Sequence, residues 1–231
     1  MPRRTGVLLL SLALGWVVLA VNLGGAAWAL LWAALSFGLA ALGYLGLGAR
    51  VFGKREDGSL RWFQALLAAP YLFFGWCAWQ AVRLGPEETW NRIAPWLYLG
   101  RRPAAGELPP EVTAVVDLTA EFPVDRRLLG ERSYLCLPTL DAHVPAPEAL
   151  ASLVDRALER GGVLYVHCAY GHGRSALVAA AMLLRRGEAS TPQEAVARLK
   201  AARPRVKLSP SQRAALERFT PQAQDAPVPP G

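Results

Sequence analysis

The stretch Val163-Leu164-Tyr165-Val166-His167-Cys168-Ala169-Tyr170-Gly171-His172-Gly173-Arg174-Ser175 decides how this chain folds. Its first four residues are apolar and partly β-branched, which predicts a buried strand. The run from Ser175 to Leu184 predicts a buried helix. A strand, a glycine-containing loop and a helix N-terminus in succession make an anion site, because backbone N–H groups converge there and the helix dipole adds positive potential. Cys168 opens the loop, and Ala169, Tyr170, Gly171, His172 and Gly173 span it. Arg174 closes it with a planar fork suited to two phosphoryl oxygens. Gly171 and Gly173 let backbone wrap a ligand without Cβ clashes, and Ser175 can set a hydroxyl near the sulfur. The competing reading is a structural cysteine beside a surface arginine.

The stretch resembles the signature of the dual-specificity branch of the cysteine-dependent phosphatases: His-Cys, five residues, then Arg and Ser or Thr. Around it, Ile93–Gly100 looks like the opening strand of that domain and Val112–Thr119 like its next core strand. Tyr134–Pro138 looks like the strand before the acid loop, and Thr191–Val196 with Arg203-Pro204 like a late helix. The resemblance implies an α/β cysteine-phosphatase fold, a central sheet flanked by helices.

Loop amides, a helix N-terminus and Arg174 all favour the charged form of Cys168 and so lower its pKa. A thiolate there can attack a phosphomonoester in line, giving a cysteinyl-phosphate that water later hydrolyses. The loop N–H groups and Arg174 would meet the equatorial oxygens, where transition-state charge spreads. A departing alkoxide needs a proton, and the resembled family takes it from an aspartate on an upstream loop. Leu137–Pro145 supplies Asp141, which competes with a reading of Asp141 as a turn or capping residue. Asp117 at a strand end is the second candidate, and Asp125 and Asp155 look solvated. His167 reads as a supporting residue that bonds nearby backbone. His172 reads as a rim residue where specificity could be set, and His143 as surface. Three histidines and three cysteines show no paired ligand spacing, so neither a metal nor a cofactor is expected.

The chain has 231 residues and net charge +7, with two compositions. Thr5–Leu23, Ala26–Leu47 and Trp62–Val82 are apolar runs near or above the ~18–20 residues that cross a ~30 Å hydrocarbon core. Trp28, Trp62, Trp76 and Trp79 suit interfacial anchoring. Asn22-Leu23-Gly24-Gly25 reads as a turn between the first two runs. Pro70 predicts a kink in the third, where a re-entrant or interfacial segment competes with a span. A cleaved signal peptide competes at the start, with Arg3 and Arg4 as its basic region, but apolar sequence continues well beyond it. The expected organisation is residues 1–85 as an all-α transmembrane region of about three helices, 86–219 as the catalytic domain and 220–231 as a disordered tail. That makes a multi-pass protein of the cell membrane. Its orientation is contradictory. Arg3, Arg4, Arg50, Lys54, Arg55 and Arg61 put the loops before the first and third runs inside, so three spans place the catalytic domain outside. Arg83, Arg92, Arg101 and Arg102, and a thiolate's need for reducing surroundings, pull the other way.

The expected partners are a phosphomonoester substrate and membrane lipids, with phospholipid headgroups favoured because the membrane segment would concentrate them. His172-Gly173 resembles the basic-then-glycine loop of phosphoinositide phosphatases in part, since Ala169 is neutral where those loops carry lysine. A protein tyrosine or serine/threonine phosphatase is the alternative. A non-catalytic, membrane-anchored phosphate-binding module is the alternative from another class. Nucleic acid is not expected, because the basic residues form no aromatic-interleaved stripe.

Overall fold

The computed structural model describes residues 2–219, so the tail assigned to 220–231 lies outside the described residues. Five strands form one sheet in the order β1-β2-β5-β3-β4. They are β1 (Trp90–Ala94), β2 (Leu97–Arg101), β3 (Ala114–Thr119), β4 (Ser133–Thr139) and β5 (Leu164–Cys168). β1 runs antiparallel to β2, and the other pairings are parallel. Ile93–Gly100, expected as one strand, is therefore a hairpin. Pro95 has no N–H for a ladder and turns the chain between β1 and β2. β5 is fully buried between β2 and β3, as its apolar run requires.

Helices cover this sheet: α4 (Arg126–Leu129), α5 (Pro147–Glu159), α6 (Arg174–Arg185), α7 (Pro192–Ala202) and α8 (Pro210–Arg218), after the three described below. α6 is buried from Arg174 to Leu184, so it forms the core together with the strands. Thr191 and Ser209 cap α7 and α8 by accepting from the N–H three residues on. Ser209 and Gln212 complete a reciprocal capping box. At α7, Glu194 instead reaches one residue further back, to the N–H of Ser190 at 2.7 Å.

The chain begins with α1 (Pro2–Leu23), α2 (Leu30–Leu42) and α3 (Trp62–Arg83). Three helical segments, Arg3–Leu23, Gly25–Phe52 and Trp62–Arg83, are apolar and long enough to cross a membrane. The second is not one straight helix. A 3-10 turn over Gly25–Ala29 precedes α2, and a π-helical turn over Gly43–Leu47 and a second 3-10 turn over Gly48–Phe52 follow it. Pro70 does not interrupt α3. Proline cannot donate to the carbonyl four residues back, which leaves that of Leu66 without its helical partner. The Trp32 indole N–H donates to the Leu66 carbonyl at 3.0 Å, and the Tyr71 N–H donates to Ser36 Oγ at 3.0 Å. Two side chains of α2 thus repair the proline defect of α3, as neighbouring helices do for prolines in apolar surroundings.

Replacing Trp32 by Phe keeps the ring and removes the donor. The expected outcome is a loss of about 1 kcal/mol for the orphaned carbonyl, read as a lower melting midpoint of the detergent-solubilised protein. In a Pro70→Ala background, where the backbone makes its own bond, the same substitution should cost less.

Candidate active site

β5 delivers Cys168 at its carboxyl end and α6 starts six residues later. The turn between them depends on Gly171, whose φ is +79° and whose Cβ would lie 2.4 Å from the Gly100 carbonyl carbon on β2. A side chain there is excluded both by conformation and by backbone contact. The folded loop turns the Gly171 N–H onto Cys168 Sγ at 3.2 Å, and Ser175 Oγ lies 3.3 Å from the same sulfur. Arg203 holds the loop from outside. Its Nε and Nη2 donate to the Gly171 and Tyr170 carbonyls at 3.1 and 3.2 Å, and its Nη1 donates to Asn91 Oδ1 at 2.8 Å. These bonds fix the Gly171 and Tyr170 carbonyls outward, which leaves the Gly171 N–H on the sulfur.

Burial alone would raise the pKa of Cys168. The Arg174 charge and the Ser175 hydroxyl and N–H outweigh it and hold the thiol below its ordinary value. Arg174 is 2% exposed. A guanidinium so removed from water needs a counter-charge, and Glu121 gives one in bidentate fashion. Nη1 and Nη2 donate to its two oxygens at 2.9 and 2.8 Å, and Nη1 also to the Thr139 carbonyl at 2.8 Å. The fork expected to face a phosphoryl group is thus turned onto protein. Nε has no hydrogen-bond partner and lies 3.5 Å from Asp141 Oδ1. Asp141 itself is exposed and lines the hollow over Cys168.

Asp117, the second candidate acid, is disposed quite differently. It is buried, and Lys54 Nζ, 2.6 Å from its Oδ2, holds its carboxyl far below the carboxylate range against the opposing effect of burial. Tyr134 donates to Oδ2, and the Thr119 N–H and hydroxyl to Oδ1, each at 2.7 Å. A carboxylate so fully bonded is a structural anion, not a proton donor. His167 lies 3.9 Å from it and contacts the Cys168 carbonyl at 3.3 Å through Nδ1. Burial lowers the His167 pKa to about 4, so its ring is neutral at pH 7. The polar chain Lys54–Asp117–His167 therefore lies directly under the backbone of Cys168.

At the rim, His172 Nε2 meets both oxygens of Glu87, at 2.7 and 3.0 Å, so the segment entering β1 holds this histidine. His143 approaches the Asp141 carbonyl at 3.2 Å and packs on the Tyr44 ring. Asp125 caps α4 and Asp155 pairs with Arg185, so each has a local structural role beyond solvation.

Two hollows meet at Asp141 and Tyr170. One, about 440 Å³, exposes Cys168 and is edged by His172, Lys207 and Arg213. The other, about 210 Å³, reaches Arg174 and Glu121 from the side of the apolar helices, between Leu9, Tyr44, Tyr71 and Phe74. Among the described residues no group of three or more His, Cys, Asp or Glu side chains converges as a metal site.

The family described as dual specificity phosphatase, catalytic domain, matches residues 97–222, more than half of the chain. The chain belongs to the dual-specificity phosphatase family. It is a cysteine-dependent phosphatase of the protein tyrosine phosphatase superfamily. The crystal structure of PTPMT1 in complex with PI(5)P is similar at 26% identity and a TM-score of 0.50, covering 57% of this chain and 94% of that one. Tk-PTP in its active form is similar at 24% identity and TM-score 0.51, over 57% of this chain and 95% of that one. DUSP15 is similar at 23% and 0.50, over 58% and 88%. The last two support the fold alone. No curated protein matches the chain.

Sequence reasoning missed Glu121, Lys54, Arg203 and Glu87. Arg203 fell within a recognised segment but carried no assigned role. Lys54 stood among three arginines as ordinary juxtamembrane charge.

Two outcomes follow from this geometry. Lys54→Met leaves the Asp117 carboxylate buried without its cation and should destabilise by about 3–5 kcal/mol. Lys54→Met with Asp117→Asn should recover much of that loss in chemical denaturation. Alkylation of Cys168 by iodoacetamide should inflect at a pH below the ordinary thiol value, and Ser175→Ala should move the inflection upward.

Proposed function

We propose that the protein is a membrane-anchored phosphatase that removes the phosphomonoester of a phospholipid headgroup through a cysteinyl-phosphate intermediate. Residues 1–85 form the membrane region and 86–219 the catalytic unit. Cys168 is the nucleophile. Its thiolate forms an S–P bond as the P–O bond to the lipid breaks, and protonated Asp141 gives its proton to the leaving oxygen. Water then attacks the phosphoryl group, Asp141 takes the water's proton, and the S–P bond breaks to restore the thiolate. The amides of Ala169 to Gly173 and Arg174 Nε–H stabilise the phosphoryl oxygens in both steps. Glu121 fixes the guanidinium, Ser175 steadies the thiolate, and His167 supports the strand end beneath it.

The observation that carries the lipid reading is the hollow shared between Arg174, Glu121 and Asp141 on one side and Leu9, Tyr44, Tyr71 and Phe74 on the other. A phosphate held by Arg174 would share this hollow with apolar helix surface, which suits a headgroup continuous with an acyl chain. The likeness to PTPMT1, solved in complex with PI(5)P, supports the same reading.

The test uses the detergent-solubilised full chain against phosphoinositides, phosphatidate and tyrosine- or serine-phosphorylated peptides. The lipids should show the higher kcat/KM. Cys168→Ser should abolish turnover, and Asp141→Asn should lower it roughly 10²–10⁴-fold, least for p-nitrophenyl phosphate, whose leaving group needs no proton. Higher kcat/KM on phosphopeptides would assign a protein substrate. Phosphate binding with no turnover and no trapped phosphoenzyme would leave a binding module.

A further inference from the structure

α3 is long enough to cross a membrane: 22 residues rise ~33 Å at ~1.5 Å each. A crossing helix leaves its two ends on opposite sides of a ~30 Å core. Both ends of α3 are fastened to the same sheet-containing unit.

At its start, Lys54 and Leu60 bridge, and the Arg61 N–H donates to the Gly53 carbonyl at 3.1 Å, so the first residue of α3 follows a closed hairpin. That hairpin is sunk into the sheet unit. Lys54, its side chain 0% exposed, bonds Asp117 at 2.6 Å and the Thr119 carbonyl and hydroxyl at 2.9 Å. The Val124 N–H donates to the Gly58 carbonyl at 2.9 Å, and a Cβ on Gly58 would meet the Tyr134 hydroxyl at 2.6 Å. At the other end, Trp79 is 3% exposed, donates to the Arg102 carbonyl at 3.2 Å and packs on Phe122, while Arg83 meets Glu107 at 3.4 Å. Gly75 and Ala78, between the two ends, wall the hollow beside Arg174. α3 is therefore fastened to the sheet unit at both ends, and between them its Leu66 carbonyl and Tyr71 N–H meet Trp32 and Ser36 of α2.

Its outer face is aromatic and bare. Trp62 is 77% exposed and Phe73 65%, with Phe63, Phe74 and Trp76 also exposed. Such a face suits the headgroup–acyl boundary, where amphipathic helices lie in plane and tryptophan concentrates. α1 and α2 differ from it. They pack antiparallel, with Thr5, Leu9 and Tyr44 near Arg174 at one end and the Gly24-Gly25 turn at the other.

We propose that α3 is an in-plane helix whose Trp62, Phe63, Phe73, Phe74 and Trp76 enter the lipid surface, so that only α1 and α2 cross the membrane. The inference rests on the membrane-anchored reading and fixes its topology. Two crossings return the chain to the side where it began. Arg3, Arg4, Arg50, Arg55 and Arg61 then share one side with the catalytic unit, and the positive-inside rule makes that side cytoplasmic. The contradiction in the basic residues came from counting α3 as a span. The site mouth, next to α3, is held against the bilayer in a compartment that keeps thiols reduced.

The test introduces Asn22→Cys, Glu56→Cys or Glu217→Cys, all exposed positions outside the site, into the full chain. An impermeant maleimide is applied to intact and to opened cells, with labelling read peptide by peptide. Turnover of p-nitrophenyl phosphate by each variant certifies that it is folded. The reagent should label the Asn22→Cys protein in intact cells, and the Glu56→Cys and Glu217→Cys proteins only after opening. Labelling of the last two from opposite sides would make α3 a span and overturn the proposal while leaving the anchoring intact. Labelling of both in intact cells would overturn the side assigned. Recovery of the protein without detergent in the soluble fraction would overturn the anchoring itself, and the topology with it.

Discussion

A guanidinium almost sealed from water at the start of α6 imposes conditions on everything around it. Arg174 can remain charged there only because Glu121 faces it with two oxygens and Thr139 adds a carbonyl. Those partners come from the ends of β3 and β4, so the loop after each strand has to close over the arginine for the helix to begin where it does. The same fixed charge, with the Ser175 hydroxyl, holds the thiol of Cys168 low in spite of its burial. Fold and reactivity thus rest on one buried charge and its satisfaction.

A second buried charge lies one layer down. Asp117 collects Lys54, Tyr134 and Thr119, and the neutral ring of His167 sits between this cluster and the backbone of Cys168. Burial of an ion pair contributes little net stability by itself, but removal of one member is costly. The pair therefore acts as a lock on position. The locking lysine comes from the segment between α2 and α3, so the apolar helices and the sheet are joined through the floor of the site.

What could be read from the sequence is what local chemistry dictates. Gly171 stands where only glycine fits, and the apolar run before Cys168 is a fully buried strand. The position of Asp141 between a strand and a helix start was readable, and its carboxylate lies 3.5 Å from Arg174 Nε. Glu121 was not legible, because its role depends on meeting Arg174 across 53 positions of chain. Lys54 was illegible for the same reason, and its flanking arginines made it look like one more orientation-setting charge. Pro70 is a milder case. It leaves α3 continuous, and two side chains of α2 bond the backbone groups beside it, which the local sequence does not show. Long-range electrostatic pairing and defect repair leave no periodic trace in a sequence.

The buried Lys54 has a consequence for how such a protein can change over generations. An apolar leader that served only to hold an enzyme at a bilayer could be traded by recombination for any other. Here a new leader without a lysine at this place would strand a carboxylate beneath the reactive sulfur. The helices and the sheet are thus bound to be inherited together, and drift in one is limited by the other.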